Sequence, residues 1–527
     1  MKTRVNLFFF LSFLGLFLLA PQASQANNLT ITNVRMGTRD VAAKNLTVFF
    51  DVSWENSWKN KINHDAVWLT LRLNDTQAPS SEKKLCSLTT AGLNPNGSGS
   101  GTNADVEIYV PADKVGAFVR RAANNPTASM SSKNVMLTVN YDSCGFNESS
   151  QIAVTVFGLE MVYIPEGSYY AGDFSASNAS LHQGSADVNP WHIANENSLN
   201  VTNAASGGYY YVSAGNPGES QTGAAFVIPD QFPKGYKSFY AMKYEITEGD
   251  WAVFVNSLSP AARIHRDLTD NLHKNSDAVL SRNTLACSGS PLLCVSQRPS
   301  RALTFLGWQD LSAFLDWAGL RPMTELEFEK TARGPFIPFK NEYAWGSSNI
   351  TAAQAISGTS EENSNETVIT PSANANFNNV VFSGGDSGLG SQYQSGPLRG
   401  GIFATTTTTR EQSGAGDFGA MELSGNVKEQ VVSIGNPAAL LFTGQQGDGN
   451  LTTASGFEGN ANVSGWPGMD VDVSKGVTGD AGSGRRGGSF ADAANLLRIS
   501  DRTEAALMAL APDAFTGGRG VRTYDGP

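Results

Sequence analysis

The chain has 527 residues, a formal charge of −11 and an isoelectric point near 5.1. An acidic balance speaks against a nucleic-acid partner, whose phosphates require a basic face. A chain this long exceeds one hydrophobic core, so two or more domains are expected.

Residues 1–26 read as a secretory signal: Lys2 and Arg4 lead, Leu7 to Ala20 is apolar, and Ser24-Gln25-Ala26 suits cleavage. The apolar run is shorter than the ~20 residues a spanning helix needs. No later segment is apolar enough to span. The mature chain is therefore expected to be secreted, periplasmic or at the cell surface, with no membrane span after signal removal.

Residues 27–157 carry period-two alternation between Asn, Gly, Pro and Ser turns. Leu46, Val48, Phe50, Val52 and Trp54 form one run, and Val67, Leu69, Leu71 and Leu73 another. Val106 to Val110, Val135 to Tyr141 and Ile152 to Val156 continue the pattern. This predicts an antiparallel, immunoglobulin-like β-sandwich, with Trp54, Trp58 and Trp68 used mainly in packing. The last run enters Leu159 with no visible linker.

Residues 158–527 form the second unit, of α+β type. Two stretches in it, 174–234 and 434–484, lack periodicity and read as loop insertions, the usual seat of binding specificity. Within the first, Trp191 and Tyr209-Tyr210-Tyr211 suit sugar stacking or buried strands, and the buried reading is favoured. The cysteines are Cys86, Cys144, Cys287 and Cys294. An even count in an exported chain favours disulfides, most simply 86–144 and 287–294; the competing reading is a metal or redox site, though the spacing fits no zinc pattern.

Arg301 to Gly334, RALTFLGWQDLSAFLDWAGLRPMTELEFEKTARG, predicts two short helices. Trp308, Leu311, Leu315 and Ala318 share a face, Gly319 ends the first helix, and Thr324 with Glu327 is a capping box starting the second. This segment resembles the signature of the sulfatase-modifying-factor family, the formylglycine-generating enzymes and their relatives. LEMVYIPEGSYYAGD (159–173), FYAMKYEITEGDWAVFVNSL (239–258), YAWG (343–346), GAMELSGNVKE (419–429), RRGGSF (485–490) and GGRGVR (517–522) follow the family order. The resemblance implies a loop-rich, C-type-lectin-like fold.

It also implies chemistry to look for. The formylglycine-generating enzymes oxidise a peptide cysteine with a copper-binding thiolate pair near the C-terminal arginine-rich strand. The matching segment here, Gly487 to Arg502, contains no cysteine, so no copper is expected. A second branch places non-haem iron on histidines. His64, His182, His192, His265 and His273 are scattered and do not form its motif.

The resemblance further implies Ca²⁺ at Glu422, Gly425, Val427 and Glu429, two carboxylates and two backbone carbonyls. A second set would be Asn376, Phe377 and Asp386. Glu422 stands where the family often has Asn, and Lys428 replaces the usual Trp and is placed to pair with an acid. Arg301, Arg321, Arg333, Arg486, Arg502 and Arg522 are expected to tie loops together. The reading is a non-catalytic binding or structural protein, calcium-stabilised, with a protein, peptide or glycan partner. The alternative is an enzyme of the same family, through cysteine oxidation or other chemistry in the same groove.

Overall fold

The computed structural model describes residues 29–78, 81–89, 106–174, 177–183, 189–202, 208–211, 215–221, 225–358, 366–508 and 511–526, with backbone only at 125–128. The expected signal segment lies outside them.

Strands β1 (Thr30–Asp40), β2 (Asn45–Lys59), β3 (Asp65–Asp75), β4 (Lys84–Leu85), β5 (Val106–Tyr109), β6 (Ala117–Arg121), β7 (Asn125–Asn140) and β8 (Ile152–Ile164) come first. Sheet β1-β2-β7 is antiparallel. The alternating residues Leu46 to Trp54 of β2 point inward and are at most 2% exposed. They share one core with Val67, Leu69, Leu71 and Leu73 of β3 and with Val106, Val119 and Ile152 from β5, β6 and β8. A disulfide joins Cys86 to Cys144 beside it.

β3 is buried on both faces, so its neighbours lie on both sides. Ala66 and Trp68 point away from the first core into a second one. Here β8 is decisive. It pairs with β3 from Ile152 to Val162 and with β15 (Phe239–Met242) from Met161 to Ile164. One sheet, in the order β18 (Arg321–Pro322), β24 (Gly520–Thr523), β15, β8, β3, β6, β5, therefore runs from the N-terminal strands into the later part of the chain. β8 crosses the expected division at 157/158 without a break.

The segment 174–234 departs from the expected loop. After β9 (Tyr169–Ala171) it contains β10 (His182–Gln183), β11 (Trp191–Ile193), β12 (Leu199–Val201), β13 (Tyr209–Tyr210) and β14 (Phe226–Ile228). β11 pairs with β9, and the rest form a small sheet. Strands of two or three residues are too short to leave a periodic trace. Trp191, Tyr210 and Tyr211 are buried.

Helices α1 (Glu248–Ser257) and α2 (Pro260–His265) follow, then the hairpin of β16 (Leu285–Ser288) and β17 (Leu293–Ser296), closed by the Cys287–Cys294 disulfide. The two-helix signature forms as predicted. α3 is Trp308–Trp317, β18 is Arg321–Pro322, and α4 is Glu325–Arg333, with Thr324 and Glu327 capping reciprocally. Gly319, at φ +70°, makes the left-handed exit. β3 reaches this exit directly: Trp68 Nε1 donates to the Ala318 carbonyl at 2.8 Å, and the Arg72 guanidinium lies 4.4 Å from the Trp317 ring.

The remaining elements are β19 (Ile356–Ser357), β20 (Thr367–Val368), α5 (Arg410–Ser413), β21 (Lys428–Val432), β22 (Ser483–Arg486), β23 (Thr516–Gly517) and β24 (Gly520–Thr523). Segment 434–484 is irregular but packed. Buried Asp316 of α3 accepts the Asp448 and Asn462 amides, each at 3.0 Å, and Phe442, Trp466 and Val477 join the helical core. Among the described residues no helix is long and apolar enough to cross a membrane.

Candidate functional site

The 422–429 turn is wound tightly. Glu422, Gly425 and Asn426 have φ of +57°, +98° and +64°. A Cβ on Gly425 would lie 2.5 Å from the Asn376 carbonyl oxygen, so only glycine fits. Glu422 Oε1 accepts the Gly401 amide at 2.7 Å. Glu429 leaves the turn on β21, and its Oε1 accepts Arg519 Nε at 2.6 Å. Oε2 of each glutamate is buried without a hydrogen-bond partner.

Two residues the sequence reading did not single out complete the site. Glu245, just before α1, accepts the Val427 amide at 3.1 Å and Asn426 Nδ2 at 2.5 Å. Arg519 also donates to the carbonyls of Met242 and Met421, at 3.0 and 2.7 Å. Both lie inside quoted family segments, 239–258 and 517–522, but their partners are far away in sequence and no spacing signals the pairing. Three buried carboxylates thus face one guanidinium. Burial, then repulsion from Glu429 and Glu422, pushes Glu245 well above the usual carboxylate range. Burial likewise pushes Glu422 up to about 7 and raises Glu429, each against the opposing pull of Arg519. Lys428 does not join them. It pairs with Glu504 at 2.7 Å and lies 3.6 Å from Asp492.

The second expected set is divided. Asn376 faces the 422–429 turn, donating to Asn426 Oδ1 at 3.1 Å, and Phe377 packs in the core beneath α4. Asp386 faces arginines instead: Arg282 at 2.8 Å, Arg301 at 2.9 Å and Arg298 at 3.4 Å. Burial opposes ionisation of Asp386, but Arg301 and Arg282 overcome it and hold the carboxyl below its ordinary value. Its charge is balanced by protein, which leaves a calcium ion there little to neutralise.

The groove at Gly487–Arg502 is nearly filled. It is bounded by Lys428, Arg485, Gly488, Asp492 and Glu504 and leaves 20 Å³, space for about one water molecule. Its cations are engaged internally, Lys428 with Glu504 and Arg485 with Asp513 at 2.8 Å. All four cysteines of the chain are tied in the two disulfides, away from this segment.

Behind the groove, the motif arginines meet the acids of α4. Glu325 accepts from Arg486 at 2.9 Å, from Arg502 Nε at 2.7 Å and from the Ile434 amide at 2.7 Å. Glu329 accepts from Arg486 at 2.7 Å and Arg333 at 3.0 Å. Arg321 forks onto Glu327 at 2.8 and 2.6 Å. The arginines are structural here, as their motif positions led one to expect.

No metal-ligand cluster of three or more His, Cys, Asp or Glu side chains is found among the described residues. No curated protein matches the chain. The sulfatase-modifying factor enzyme 1-like domain matches residues 153–523, beginning within β8 and ending at the last residue of β24. That span covers well over half of the chain, and the protein belongs to the sulfatase-modifying factor family.

Proposed function

We propose that this chain is an exported, non-catalytic binding or structural protein on the scaffold of its family, with a protein, peptide or glycan partner. The observation that carries the reading is the state of the cysteines. All four are in disulfides, and the segment matching the family's thiol pair has none. Soft thiolates are what hold Cu(I), and the groove beside that segment has room for about one water molecule. On this reading residues 1–26 are a cleaved signal, 27–157 an immunoglobulin-like sandwich and 158–527 a C-type-lectin-like domain.

Calcium belongs to the same proposal. Glu422 and Glu429 each keep a buried oxygen without a partner, and buried orphan acceptors of this hardness suit Ca²⁺. Glu422, Glu429 and the carbonyls of Gly425 and Val427 would hold the ion, whose charge would offset the excess of acid around Arg519. Incubation with Cu(I) and a cysteine-containing sulfatase peptide is expected to give no formylglycine by mass spectrometry. Product formation would favour the enzymatic alternative.

A further inference from the structure

A cleft lies where the N-terminal strands meet the family domain. It encloses 670 Å³ between the start of β1, the middle of β8, β15 and α1. This size and position are typical of ligand sites. Ile31, Phe157, Met242 and Val253 give it apolar walls, and Glu160, Glu245 and Asp250 line it with acid.

Glu160 is 6% exposed, and its Oε1 has no hydrogen-bond partner. Its other oxygen accepts Lys243 Nζ at 3.0 Å. Lys243, the cation of Glu160, is shared with buried Asp65 at 3.6 Å, and Glu55 stands near as a further acid. Burial, only partly offset by Lys243, raises the Glu160 carboxyl above its ordinary value. A buried carboxylate oxygen without a donor is costly, more so with other acids nearby. A ligand that brings a positive charge relieves both conditions, and apolar walls require that the charge be carried on an apolar body.

We propose that this cleft binds an amphiphilic cation, with an apolar body between Phe157 and Val253 and one ammonium or guanidinium group at Glu160. Two sources share this chemistry: a lysine or arginine flanked by apolar residues in a peptide, and a free alkylamine. The inference rests on the reading of the chain as a binding protein and favours a basic peptide over a glycan.

Isothermal titration of the mature protein with hexylammonium, neutral hexanol, a blocked leucyl-lysyl-leucine tripeptide and its norleucine counterpart tests it. Hexylammonium is expected to bind about tenfold or more tighter than hexanol, the margin of one charge-assisted contact. Binding of the lysine tripeptide identifies a peptide source, and binding of hexylammonium alone identifies a small amine. Glu160→Gln is expected to erase the preference for charge. Val253→Trp changes a residue that is 41% exposed on the cleft wall. It is expected to leave the fold intact and to abolish binding, and serves as the test if Glu160→Gln does not fold. Equal binding of hexanol and hexylammonium, unchanged binding by Val253→Trp, or no binding of any of the four overturns the proposal. None of these outcomes bears on the formylglycine assay, so the cleft and the non-catalytic reading fail separately.

Discussion

Glu325→Ala is expected to destabilise the protein by about 3–5 kcal/mol, the range for removing one partner from a buried ion pair. Glu325 is fully buried, and Arg486 and Arg502 both depend on it. Burial opposes its ionisation, but Arg502 and Arg486 hold its carboxyl below the ordinary value, so it is charged at neutral pH. Truncation leaves Arg486 with the Glu329 carboxylate and the carbonyls of Asp501 and Ile499, and Arg502 with Glu219 at 3.6 Å and the Ala179 carbonyl. The amide of Ile434, where the second insertion starts, loses its acceptor as well. Urea unfolding measures the change. A loss below about 1 kcal/mol, the range of a surface pair, would mean that the helix signature is not held by this network.

The second large effect concerns pH and calcium. Glu422 carries its proton up to about pH 7 in the folded chain, against an ordinary value of 4.5. Between these values the folded state binds a proton that the unfolded state has released. The stability this contributes is complete below about pH 4.5 and is lost as pH rises through about 7. Metal-free protein is therefore expected to melt several degrees lower at pH 8 than at pH 5. Glu422→Gln should flatten that profile, since the amide does not titrate. A bound Ca²⁺ would favour the ionised carboxylates, so added calcium is expected to raise the melting temperature more at pH 8 than at pH 5. A melt at pH 8 that ignores both calcium and chelator would remove the calcium proposal.

What the sequence made legible was local or periodic. The capping box at Thr324 and Glu327, the left-handed Gly319, the alternation of β2 and the Cys287–Cys294 pairing depend on near neighbours or on period. The site chemistry depends on distant ones. Glu245 meets Asn426 across 181 positions, and Glu429 meets Arg519 across 90. The sequence reading placed Lys428 beside the calcium acids, but the fold turns it toward Glu504. Asp386 drew attention as a calcium ligand, yet nothing near it in sequence announces Arg282 or Arg301. The short strands of segment 174–234 left no trace in the sequence for a related reason. Its strands are two or three residues long, and their pairing with one another and with β9 decides their state.

The scaffold of the family is kept, while the groove beside its thiol segment is filled by Lys428, Arg485 and their acids. The most direct measurement is alkylation of the purified, denatured protein without reduction, read by mass spectrometry. No cysteine is expected to be alkylated before reduction, and all four after it. Two free thiols in the native chain, together with stoichiometric Cu(I) binding, would contradict it.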